Sequence, residues 1–168
     1  MRFGLSLKAL SHILLHYVPQ NIAYAGTLSE IFGSVLSLKK DHNMNHKETL
    51  KKYLQFIEAA DYENLLSLFS ENAIVHSPLY GKVAAVQFYK DLFKDTSESK
   101  LTLLNLFTGE DENTAAVHFQ FDWNLSDGTA APFEVVDVCK FSTDGKIEEL
   151  KIIYDSAKTR PAFEKLSS

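Results

Sequence analysis

Between residues 100 and 155 polar and apolar side chains alternate in four runs, and that period of two admits little besides an amphipathic β-sheet. The runs read KLTLLNLFTG, TAAVHFQFDWNL, PFEVVDVCKF and IEELKIIYD. In the second, Val117, Phe119, Phe121 and Trp123 share one face, while His118, Gln120 and Asp122 share the other. SDG at 126–128 and TDGK at 143–146 sit where hairpin turns are required. Four long strands are therefore predicted to follow one another in an antiparallel meander.

The preceding stretch changes period. In NHKETLKKYLQFIEAAD, apolar residues at 50, 53, 54 and 57 mark one face of a helix. Asn45 with Glu48 three residues on predicts its start. YENLLSLFS reads as a second short helix, AIVHS as a short strand closed by a turn at Pro78 and Gly81, and KVAAVQFYKDLFKD as a third helix. Helices early and strands late predict an α+β fold, three helices packed on a curved antiparallel sheet. Such a sheet wrapped on helices forms a cone whose open end is a pocket.

Residues 1–43 are a different kind of sequence. They carry four basic residues against two acids, a net of +2, and leave the rest of the chain at −7. No run there reaches the roughly 18 uninterrupted apolar residues a bilayer span needs. Arg2, the apolar ILLHYV and the small residues of AYA ending at Ala25 fit a signal peptide, which would imply secretion to the periplasm or beyond. The other reading is a poorly ordered extension ahead of Met44, with residues 44–168 forming the domain.

The overall charge of −5 argues against a nucleic acid or an anionic membrane as partner. A single cysteine, Cys139, provides neither a disulfide framework nor a cysteine zinc site, and a reducing cytoplasm fits. HILLH (12, 16) and HNMNH (42, 46) space histidines four apart but lack the glutamate of a zinc protease helix, so no metal is expected. Phosphate loops, dinucleotide fingerprints and nucleophile elbows are absent from the sequence, so no cofactor is expected either.

The third strand holds the residue that most needs explaining. Phe133, Val135, Asp137, Cys139 and Phe141 fall on its oily face, and a lone carboxylate there is costly unless paired, hydrogen-bonded or protonated. Tyr53 points inward from the first helix, and its hydroxyl also needs a partner. His76 and Ser77 end the short strand at VHSP.

The stretch KKYLQFIEAADYENLLSLFSENAIVHSP, the aromatic meander and the closing FSTDGKIEELKIIYD resemble the nuclear transport factor 2-like superfamily, a cystatin-like roll. Within it they are similar to the branch of SnoaL-like polyketide cyclases and ketosteroid isomerases. The resemblance covers about residues 46–163. It implies that Tyr53 and a protonated Asp137 donate to a developing oxyanion, as the isomerase's tyrosine and aspartic acid do. At the isomerase's general-base position, just before a proline, this chain has Ser77, which cannot take a proton as a carboxylate does.

His76 has the intrinsic pKa of a replacement base, although strict alternation turns it away from Ser77's face. Glu71 falls in a turn, and Asp122 and His118 lie on a polar strand face. Pocket walls are expected from Phe119, Phe121, Trp123, Phe133 and Phe141. Three functions remain open. One is a cofactor-free isomerase, cyclase or dehydratase acting on a small apolar substrate. Another is a binding module with the same pocket and no chemistry. The last is an interaction module that forms a homodimer through the outer sheet face around Val136 and Val138.

Overall fold

The structure, a computed structural model, describes residues 28–166. The segment read as a signal peptide and the pair His12 and His16 lie outside the described residues. Helix α1 spans Leu28–Glu58, so it begins upstream of the start expected at Asn45. No proline interrupts residues 28–58, and Asn45 is internal to the helix, its carbonyl accepting from Thr49 Oγ1 at 3.1 Å. The helix stops where Ala60 enters the left-handed region at φ 51°. Asp61 then caps α2 (Tyr62–Leu66), its side chain accepting from the backbone N–H of Asn64.

α2 is shorter than the helix expected over 62–70, because the chain is drawn into strand β1 (Phe69–Ser77). Phe69 pairs with Ile147, and the N–H of Ile147 donates to Leu68 O at 2.9 Å. After the Pro78 turn, where Gly81 takes φ 77°, strand β2 (Gly81–Ala84) pairs back on β1. Its residues had been read as the start of the third helix, which begins at α3 (Ala85–Lys94).

The expected meander follows as β3 (Thr96–Thr108), β4 (Thr114–Leu125), β5 (Phe133–Phe141) and β6 (Ile147–Ile153), each antiparallel to the next. Gly128 and Gly145, at φ 83° and 78°, make the two hairpin turns that only glycine takes without strain. The sheet is six-stranded, curved and unclosed, in the order β2-β1-β6-β5-β4-β3. It is not wholly antiparallel: β1 lies parallel to β6. A short helix not expected from the sequence, α4 (Arg160–Leu166), follows.

The sheet, α2, α3, α4 and the part of α1 from Ser37 onward belong to the compact unit Ser37–Ser168. Within it, Leu50, Tyr53, Leu54 and Ile57 of α1 and Phe88, Tyr89 and Leu92 of α3 are buried together with the inner face of β4 and β5. Among the described residues no helix is long and apolar enough to cross a membrane.

Candidate functional site

Asp137 occupies the middle of β5 on its inner face and is 2 % exposed. Its neighbours across the sheet are Val117 on β4 and Ile152 on β6, so neither adjacent strand gives it a polar partner. The partner comes from the helices. Tyr53 donates to Asp137 Oδ2 at 2.7 Å, and Tyr89 donates to Tyr53 at 3.2 Å. All three side chains are buried, and the Tyr53 and Tyr89 rings meet edge to face. Asp137 Oδ1 has no hydrogen-bond partner among the described residues.

This chain of donors has a direction. Burial, and then the nearby Asp137 charge, hold the Tyr53 phenol well above its usual range. Burial does the same for Tyr89. Both remain neutral donors, and each gives its one proton toward the carboxyl. Burial pushes Asp137 itself up to about 7, with the Tyr53 hydrogen bond pulling the other way. The carboxyl is thus poised between acid and base near neutrality, with one oxygen tethered and the other unengaged.

Asp137 and Tyr53 line a cavity walled by Phe119, Phe121, Trp123 and Phe133, and also by Tyr80 and Tyr154. The space is about 450 Å³ counting its mouth, and it is narrow. Aromatic faces set its shape. Phe133 stacks on Tyr154 with centroids 4.1 Å apart, and the Phe121 and Phe133 rings lie 5.2 Å apart. Near Tyr80 and Trp123, α4 packs its Phe163 at 4.9 Å and 6.2 Å, while Arg160 donates to Pro78 O at 2.7 Å.

Two expected members of the site lie elsewhere. Phe141 does face inward, but at the far end of β5, where its ring stacks on buried His46 at 4.0 Å and does not line the cavity. His76 faces the opposite side of the sheet, as strict alternation requires, and pairs with Glu149 at 2.8 Å. It cannot stand in for the base. Ser77 does line the cavity, but its Oγ also accepts the backbone N–H groups of Leu79 and Tyr80, so it holds the Pro78 turn. His118 pairs with Glu134 at 2.6 Å on the outer face.

Sequence reasoning missed Tyr89 and Tyr154. Tyr89 carried the same signal as Tyr53, an inward tyrosine at helical spacing with Ala85, Phe88 and Leu92. Tyr154 continues the inner alternation of β6 after Leu150 and Ile152. Among the described residues no group of three or more His, Cys, Asp or Glu side chains converges as a metal site.

Residues 50–150 match the model of the SnoaL-like domain family. The uncharacterized protein YesE of Bacillus subtilis (strain 168) is 25 % identical over 126 residues, covering 69 % of this chain and 85 % of that one. Among solved structures, the epoxide hydrolase/cyclase-like enzyme SalBIII, of pyran ring formation in polyether salinomycin, superposes with a TM-score of 0.61 at 20 % identity. That match covers 68 % of this chain and 94 % of SalBIII. The Δ5-3-ketosteroid isomerase of Mycobacterium sp. superposes with a TM-score of 0.56 at 16 % identity, over 68 % and 95 % of the two chains. At these identities the likeness shows a shared fold.

Proposed function

The chain belongs to the SnoaL-like domain family, within the nuclear transport factor 2-like superfamily, and on that footing we propose that its cavity binds a small, largely apolar molecule and moves a proton on it through Asp137. The observation that carries this reading is Asp137 Oδ1, an unengaged carboxyl oxygen among aromatic walls, on a side chain fixed by Tyr53 through its other oxygen. Ser77 cannot serve as base, and His76 is on the wrong face. Asp137 is then the acid–base group as well as the polar anchor.

In the ionised form Oδ1 removes a proton from a carbon beside the substrate's carbonyl, and the electron pair moves into an enolate. The same oxygen returns the proton at a second carbon for isomerisation, or to a leaving hydroxyl for dehydration. A group titrating near the working pH suits both halves of such a transfer. Tyr53 acts differently from the isomerase-like expectation. Its proton is spent on Oδ2, so it orients the carboxyl and favours its ionised form, and does not reach the enolate oxygen.

The test is solvent exchange of 2-tetralone, a flat enolisable ketone, followed by proton NMR in D2O. The protein should accelerate loss of the α-proton signals, and Asp137→Asn should abolish the acceleration. Exchange no faster than in buffer, or equally fast with Asp137→Asn, rejects the reaction.

A second reading, a ligand carrier without chemistry, is favoured by Ser77 at the base position, engaged in holding its turn. It predicts saturable binding of 2-tetralone without exchange. Under either reading the outer sheet face, where Phe107 and Ile153 are exposed near Val136 and Val138, is the surface we assign to a second copy of the chain. A mass by sedimentation equal to one chain would refute that assignment.

A further inference from the structure

A carbonyl or enol held for attack at carbon also needs a donor at its oxygen, and most of the cavity's donors are already committed. Tyr53 gives its proton to Asp137, Tyr80 to Asp95 Oδ2 at 2.9 Å, and Trp123 Nε1 to Thr96 Oγ1 at 2.8 Å. Two other hydroxyls line the cavity, on Ser77 and Tyr154, and neither is committed to a carboxylate among the described residues; Tyr154 meets only the Thr159 hydroxyl, at 3.5 Å. We infer that Tyr154 is the second catalytic contact of this cavity, donating its phenol proton to the ligand's oxygen while Asp137 works on carbon. The inference rests on the reading of the cavity as a ligand site.

The sheet register puts the two side chains on the same wall of the cavity. Ile152 is the cross-strand partner of Asp137, and Val136 pairs with Ile153. Tyr154 therefore follows on the inner side one diagonal step from Asp137, a spacing of about 7 Å between such positions.

The phenol is also held in place. Its ring stacks on Phe133 at an interplanar angle of 22°. Buried Thr159, whose single hydroxyl proton has the nearer acceptor Ser156 O at 3.3 Å, sits 3.5 Å from the phenol oxygen, a long contact that a ligand oxygen at closer range can replace. A phenol is a stronger acid than the Ser77 alcohol, and so a stronger donor to an oxygen gaining negative charge. Among the described residues no lysine, arginine or histidine lines the cavity, so a neutral donor must do this work. The same lack of cations makes uncharged molecules, not carboxylates or phosphates, the ligand class.

The test compares 2-naphthol, a flat enol mimic, with naphthalene, its oxygen-free counterpart, by equilibrium dialysis against the full chain. Tyr154→Phe keeps the ring and its stacking on Phe133. It should cut the preference for naphthol over naphthalene about tenfold while leaving naphthalene affinity unchanged. Ser77→Ala should leave the preference intact. A preference that survives Tyr154→Phe, or one lost only with Ser77→Ala, overturns the inference and spares the proposed function. Failure of both probes to bind the unaltered chain refutes the ligand-cavity reading itself.

Discussion

Replacing Asp137 by asparagine should make the protein more stable at neutral pH, and the gain should vanish in acid. In the folded chain the carboxyl titrates at about 7, against 3.8 for an ordinary aspartic acid. The folded state therefore holds this proton more tightly than the unfolded state, and stability falls as pH rises between the two values. Each pH unit in that window is worth about 1.4 kcal/mol, so the full span comes to roughly 4 kcal/mol, a large share of a typical domain's stability. Below about pH 4 both states carry the proton and nothing is lost. Above about 7 the penalty is complete and flat. Asparagine keeps an oxygen for Tyr53 and never ionises. The assay is urea unfolding of both proteins from pH 4 to 8, read from the single buried Trp123. The stability difference, asparagine minus aspartate, should climb by roughly 4 kcal/mol across that range, other titrations cancelling in the subtraction. A difference that stays flat, or falls as pH rises, would mean that Asp137 is ionised and compensated in the folded state, and the acid–base argument would fail with it.

Tyr53→Phe should move the Asp137 midpoint upward, because the hydrogen bond it deletes pulls that midpoint down, and carbon-13 NMR of labelled aspartate reads the shift directly. The same change leaves Asp137 Oδ2 and the Tyr89 hydroxyl unpartnered, at a cost of about 1–3 kcal/mol in urea unfolding. Phe141→Ala should cost about 3–5 kcal/mol while leaving naphthol affinity unchanged, since its ring packs on His46 and not in the cavity; Phe133→Ala should lose naphthol binding. His76→Ala should leave 2-tetralone exchange unaltered and change stability by less than about 1 kcal/mol, as an exposed His–Glu pair allows; a lost exchange rate would return His76 to the site.

Side-chain period explains what was legible. Alternation along β5 put Asp137 inward, and helical spacing put Tyr53 inward; what put the two in one site was the resemblance to the ketosteroid isomerases, not period. The same alternation turned His76 outward. Period reports a face, however, and not a depth along it. Phe133 and Phe141 share the inner face of β5, yet one lines the cavity and the other packs on His46 at the opposite end. Direction of donation was equally hidden. That Tyr53 gives its proton to Asp137 and not into the cavity depends on a 2.7 Å contact between elements 84 residues apart. β2 was concealed because KVAA suits a helix start as well as a strand, and pairing with β1 decided it. Nothing in the spacing of FSENAIVHS says that its neighbour will be the last strand, in parallel.

That parallel pairing has a consequence for how the protein is made. β1 and β2 join the rest of the sheet through β6 alone, so two separate hairpin systems wait on one late strand. On the ribosome, residues 69–84 and the meander from Thr96 to Phe141 emerge before the piece that unites them. Contacts so distant in sequence close slowly, and unpaired strand edges invite aggregation while they wait. The cavity is under the same constraint, since Ile152, the cross-strand partner of Asp137, and Tyr154 arrive with that strand. A nascent chain stalled before Ile147 would carry Tyr53, Tyr89 and Asp137 with no finished site to hold them.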